Sequence, residues 1–184
     1  MTYLRQLPNL ISVLRMALVW PILTSIAHGD YQRTLVLFVV AAVSDGLDGF
    51  LAKRYHWISE LGKILDPLAD KLLLVGAFLV GTWYGLVPRW LTAAAVGRDV
   101  LILLGSLAFH FGWGPLRGRP MISSKINTLM QLLYVLAVVA HAGYRVPPAS
   151  VLDALEWATL VTVLTSGIGY VREFTQRALQ AARA

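Results

Sequence analysis

Cysteine is absent from the 184 residues, which excludes disulfides and thiolate metal sites and leaves the redox compartment open. Charge is scarce as well: Asp, Glu, Lys and Arg make up 14% of the chain against 57% apolar side chains, with a mean hydropathy of +0.64. That balance is too apolar for an ordinary soluble domain. The apolar runs also lack period-two alternation, and a lipid-exposed sheet edge is forbidden in hydrocarbon, so helices remain. No basic soluble face with interleaved aromatics is present. The net charge of +6 therefore reads as membrane topology and affinity for anionic lipid, and nucleic-acid binding is not expected.

What is there is a series of six apolar segments, roughly 9–28, 32–53, 61–84, 88–111, 123–143 and 149–171, each near the ~20 residues needed to cross a bilayer. Short connections join them. The expected fold is an all-α integral membrane protein, a six-transmembrane-helix bundle forming a single domain over 1–184. The first segment lacks a convincing small-residue cleavage site and carries Asn9 and Arg15, so it is expected to stay in place. Of the 16 Lys and Arg residues, ten fall in one set of alternate loops and ends (Arg5; Lys53, Arg54, Lys63; Arg117, Arg119, Lys125; Arg172, Arg177, Arg183) and three in the other (Arg33, Arg89, Arg145). The positive-inside rule then places both termini in the cytoplasm, in a bacterial inner membrane by expectation.

Four aspartates break the apolar pattern: Asp45 and Asp48 in D-G-L-D-G-F-L-A-K, and Asp66 and Asp70 in G-K-I-L-D-P-L-A-D. A carboxylate at membrane depth costs a few kcal/mol or more, so a cluster of four makes sense chiefly when divalent cations hold it. On a helix Asp45 and Asp48 lie about 60° apart around the axis, and Asp66 and Asp70 about 40°. Each of two antiparallel helices thus offers two carboxylates on one side. With no cysteine and no histidine in register, the donors suit Mg²⁺ or Mn²⁺, with positions left for water and phosphate. Gly49 and Gly62 keep space beside the carboxylates, Ala52 keeps the same wall small, and Pro67 frees the carbonyl of Lys63 and favours a bend at the site. Solvated acidic residues at helix ends would explain Asp45 alone, but not all four at this spacing.

Residues 45–70 resemble the signature of the CDP-alcohol phosphatidyltransferases, D-x2-D-G-x2-A-R-x8-G-x3-D-x3-D, at every position but one: Lys53 stands where the family has arginine. The resemblance implies a membrane enzyme, with Asp45, Asp48, Asp66 and Asp70 as ligands of two Mg²⁺ or Mn²⁺ ions and Asp70 as the general base. It also implies that Gly49, Ala52, Lys53 and Gly62 form the nucleotide wall, and that the enzyme is a homodimer. Lysine is a point charge without the planar fork of arginine, so a bidentate contact would be lost at Lys53. The implied reaction transfers a phosphatidyl group from CDP-diacylglycerol to an alcohol and releases CMP. The chemistry suits the residues, because paired cations can bridge both sides of a phosphoryl displacement and a nearby carboxylate can take the acceptor's proton.

The acceptor is expected to meet further polar residues. Asn9, Ser12 and Arg15 follow one another at steps of three along the first segment, Arg98-Asp99 lies inside the fourth, and Lys125 opens the fifth beside Arg117 and Arg119. Asn9, Arg15, Arg98 and Lys125 are the candidate acceptor and phosphate-binding residues. Arg15 is expected to serve phosphate or to snorkel. Arg98 and Asp99 could form a self-contained neutralising pair, but sequence neighbours on a helix do not face each other, so each is expected to find a partner on another helix. The stretches L-P-N-x5-R, D-P-L-A-D-K, G-R-D-V-L-I and S-K-I-N-T-x2-Q resemble the CMP-forming cardiolipin synthase branch, which implies phosphatidylglycerol as acceptor. The related phosphatidylglycerophosphate synthases use glycerol-3-phosphate and are the alternative. A small ion-coupled transporter is a more distant one, and it would show internal repeats or broken helices that this sequence lacks. His28, His110 and His141 fall across the membrane from the aspartates, and His56 lies in a loop. Trp20, Trp83, Trp90 and Trp113 fit interfacial anchoring. Gly81-x3-Gly85 is a candidate helix-packing face, and Gly167 and Gly169 suggest close packing.

Overall fold

The computed structural model describes the backbone over residues 7–55, 60–113 and 121–181, and side chains over 13–44, 68–109, 111–112 and 121–179. Among these residues the protein is all-helical: α1 (Leu7–Ala27), α2 (Tyr31–Tyr55), α3 (Glu60–Trp83), α4 (Arg89–Trp113), α5 (Ile122–Tyr144) and α6 (Ala149–Ala181). Each helix falls within two residues of an expected segment, except that α6 runs ten residues beyond position 171. Its extension carries an ion pair between Arg177 and Glu173 at 2.5 Å, one turn apart on the same face.

The contacts group into two units, residues 1–87 with 135–148, and 88–134 with 149–184. In the first unit α1 packs against both α2 and α3. Local chemistry sets the α1–α2 reversal. Gly29 takes φ +74°, a left-handed position that glycine occupies without strain, and the Asp30 N–H closes back onto the Ser25 carbonyl at 3.0 Å. Asp30 then caps α2, its Oδ1 accepting from the Arg33 N–H at 3.1 Å, a type of contact that contributes about 1 kcal/mol. Ile22, Ile26, Phe38, Leu74 and Phe78 fill the core between these helices. At Gly76 a Cβ would stand 2.8 Å from Leu23 Cδ1, so the missing side chain lets α1 and α3 come close.

In the second unit α4 packs on α6. The Phe174 ring lies where a Cβ on Gly105 would be. Gly167 faces the Arg98 stem and Gly169 the Met121 side chain, which is the close packing expected of this pair. The Gly81-x3-Gly85 expectation is corrected: Gly81 takes up Val87, while Gly85 lies past the end of α3 at φ +75° and serves the turn.

Polar and apolar surfaces are distributed inside out. Arg15, Thr34, Arg98, Asn127, Gln131 and Ser166 are buried, whereas large apolar side chains such as Val36, Leu103, Leu104, Leu129 and Val161 are exposed. Among the described residues, Arg89–Phe109, Ile122–Tyr144 and Ala149–Leu179 are long and apolar enough to cross a membrane, and Val13–Ala27 and Tyr31–Ser44 add shorter apolar stretches. Trp20, Trp83 and Trp90 are exposed. Trp157, which the sequence reading did not single out, packs against Trp90 at a ring separation of 5.7 Å.

Candidate functional site

The two halves of the aspartate motif fall on α2 and α3, both helical through the motif as expected. The side chains of Asp45, Asp48 and Asp66 lie outside the described residues, as do those of Gly49, Ala52, Lys53, Gly62, Pro67 and Asn9; His56 lies outside them altogether. Among the described residues no group of three or more metal-binding side chains occurs. That leaves Asp70 to define this side of the site.

Asp70 is one turn from Asp66 on α3, and its side chain is 47% exposed. Its Oδ1 accepts a hydrogen bond from Arg15 Nη1 at 3.1 Å, and Arg15 itself is only 1% exposed. Sequence spacing placed Arg15 on the polar side of α1 but did not reveal this partner. The α1–α3 packing brings them together: Leu23 meets Gly76 further along the same pair of helices, so both advance together from Arg15 and Asp70. Asp70 suits a hard cation, because it offers carboxylate oxygen on an accessible face and the chain has no cysteine thiolate.

A second polar cluster belongs to the other unit. Arg98 Nη1 donates to Asp99 Oδ1 at 2.7 Å, and Nη2 donates to Ser124 Oγ on α5 at 2.7 Å and to Ser166 Oγ on α6. Tyr170 stacks its ring 5.6 Å from the guanidinium carbon. Arg98 thus finds the expected partners on other helices and also forms the neighbouring pair with Asp99 that was the alternative. Their backbones point apart, but the long guanidinium stem curls back to the neighbouring carboxylate while its second nitrogen reaches two other helices.

Below Arg98 a polar seam continues between α5 and α6. Thr162 Oγ1 donates to Asn127 Oδ1 at 3.1 Å, and Tyr134 Oη donates to Glu156 Oε2 at 3.3 Å. Asn127 is 0% exposed. Four buried donors here have no hydrogen-bond partner: Arg98 Nε, Ser123 Oγ, Asn127 Nδ2 and Gln131 Nε2. Buried polar groups are nearly always satisfied, so such a set marks a place for water or a polar ligand. Sequence reading quoted Gln131 only within S-K-I-N-T-x2-Q and gave it no role, and the seam beyond it was signalled only by the helical spacing of Ser124, Asn127, Gln131 and Tyr134. Lys125 is exposed in the first turn of α5. His28 and His141 are each engaged locally, their Nδ1 atoms 2.7 and 2.6 Å from the Thr24 and Pro147 carbonyls.

Comparison with known proteins gives a consistent set of relatives. The family model for CDP-alcohol phosphatidyltransferase matches residues 5–167. A protein of Streptomyces coelicolor named cardiolipin synthase (CMP-forming) is 38% identical over 160 residues, covering 83% of this chain and 73% of its own length. A protein of the same name from Rattus norvegicus is 31% identical over 180 residues, covering 89% of this chain. The chain spans 60% of the length of that rat relative. A Bacillus subtilis protein named CDP-diacylglycerol–glycerol-3-phosphate 3-phosphatidyltransferase is 28% identical over 181 residues, covering 89% of this chain and 92% of its own length.

Proposed function

The chain belongs to the CDP-alcohol phosphatidyltransferase family, and from that premise we propose that it transfers the phosphatidyl group of CDP-diacylglycerol to a lipid alcohol, releasing CMP. The observation that carries this reading is the aspartate motif divided between α2 and α3, with Asp70 accessible and anchored by a buried arginine. In the proposed step the acceptor hydroxyl oxygen bonds to the phosphatidyl phosphorus, the bond to the CMP phosphate breaks, and the acceptor proton passes to the Asp70 carboxylate.

Asp45, Asp48, Asp66 and Asp70 would hold two Mg²⁺ or Mn²⁺ ions, which when bound supply charge neutralisation for the diphosphate. Gly49, Ala52, Lys53 and Gly62 would line the nucleotide. The reading includes a single membrane domain of six spans with both termini and the aspartates on the cytoplasmic side of a bacterial inner membrane, and a homodimeric assembly. The inside-out surface and the Lys and Arg asymmetry support it. Continuous helices in place of broken ones favour an enzyme over a transporter.

For the acceptor we favour phosphatidylglycerol, giving cardiolipin. Arg98 and Lys125 supply cations, Asn9 in the first segment is a further candidate, and the unspent donors of Asn127 and Gln131 suit neutral hydroxyls. Two of the relatives named above carry the cardiolipin synthase name, and the Bacillus subtilis relative keeps glycerol-3-phosphate as the second reading. Supplying CDP-diacylglycerol and Mg²⁺ with each acceptor separately, and identifying the lipid by mass spectrometry, tests the choice. Cardiolipin is expected from phosphatidylglycerol. A product formed solely from glycerol-3-phosphate moves the enzyme to the second reading.

A further inference from the structure

We infer that Arg15 is a positioning residue for Asp70 and is not a contact of the acceptor's phosphate; this rests on the reading of Asp70 as a reacting carboxylate. The pair is asymmetric in a way that separates the two roles. The Arg15 side chain is 1% exposed, whereas the Asp70 side chain, 3.1 Å away, is 47% exposed. A phosphate approaching from the accessible side meets the carboxylate before the buried guanidinium. The accessible partner has the chemistry, and the inaccessible one holds it still.

Fixing one oxygen defines the rotamer of a short side chain. An aspartate has two side-chain torsions, and a hydrogen bond from a buried, packed guanidinium to Oδ1 leaves the carboxylate plane little freedom. The other oxygen edge is then presented in a constant direction. Small displacements of a reacting group are expensive, a shift of about 1 Å costing ~100-fold in rate. Arg15 is buried, so breaking the pair would leave a desolvated charge without its carboxylate partner. The close α1–α3 approach at Gly76 keeps the two residues in register.

The two roles predict different kinetics. In purified, detergent-solubilised full-length protein, Arg15→Met should lower kcat by about 100-fold. The KM for whichever acceptor the enzyme accepts should stay within about twofold, and Arg15→Lys, which keeps a donor cation, should recover much of the loss. Mn²⁺ binding followed by electron paramagnetic resonance should persist in both variants, because the remaining carboxylates are untouched. A raised acceptor KM with kcat preserved would make Arg15 an acceptor contact and overturn the inference. So would unchanged kinetics, or a joint loss of activity, Mn²⁺ binding and thermal stability that lysine fails to rescue. Asp70→Asn serves as the separate control: if it retains turnover, the reading of Asp70 fails on its own account, whatever Arg15 does.

Discussion

Arg98 shows how a cation is accommodated where water is scarce. Its two terminal nitrogens serve Asp99, Ser124 and Ser166, and Tyr170 covers the guanidinium face. Arg98→Ala removes a largely buried ion pair and leaves Asp99 without its 2.7 Å partner, so unfolding in detergent should become easier by about 3 kcal/mol. A melting temperature within a degree of the parent would show that the pair contributes little. Sequence reading identified Arg15 and Arg98 as unusual because each is charged within an apolar run. It could not name their partners. Asp70 lies 55 positions from Arg15, and Ser166 lies 68 from Arg98; such pairings are set by helix packing, which no local spacing encodes.

At the scale of the helix, hydropathy was a good guide to where elements begin and a poorer one to where α6 ends. Membrane depth limits an apolar run, but a helix continues as long as its residues favour it, and R-E-F-T-Q-R-A-L-Q-A does so with a Glu173–Arg177 pair. Gly85 shows the converse: its spacing from Gly81 suggested a packing face, yet its left-handed φ makes it a turn residue. Gly105 is a packing residue that no motif announced, because its partner, Phe174, is on α6. Gly105→Val should therefore force the ring or the helices aside and destabilise the protein by about 1–3 kcal/mol, read as a lower thermal midpoint in detergent. Gly97→Ala, where nothing lies within 4 Å of the added carbon, is the matched control and should be nearly neutral or slightly stabilising.

For the whole molecule, the absence of cysteine makes orientation directly measurable. Ser150 and Gln176 are exposed positions near opposite ends of α6, 26 residues apart in sequence, or ~39 Å along a straight helix, more than the ~30 Å of hydrocarbon. Ser150→Cys should react with a membrane-impermeant maleimide in intact cells, and Gln176→Cys only after permeabilisation. Equal labelling of both without permeabilisation would overturn the proposed topology. The all-helical character, the helix positions and the aspartate motif were legible in the chain, since each is a pattern spread over tens of residues. The buried donor set along α5 was not, because hydrogen-bond satisfaction is a property of the packed molecule.

The proposed chemistry of the aspartate motif is phosphatidyl transfer. Its most direct test is CMP release from CDP-diacylglycerol by the purified full-length protein, followed with and without Mg²⁺, with and without a lipid alcohol, and in Asp70→Asn. CMP is expected only when metal and acceptor are both present, and none above background from the variant. No CMP with any acceptor, or undiminished release from Asp70→Asn, would contradict it.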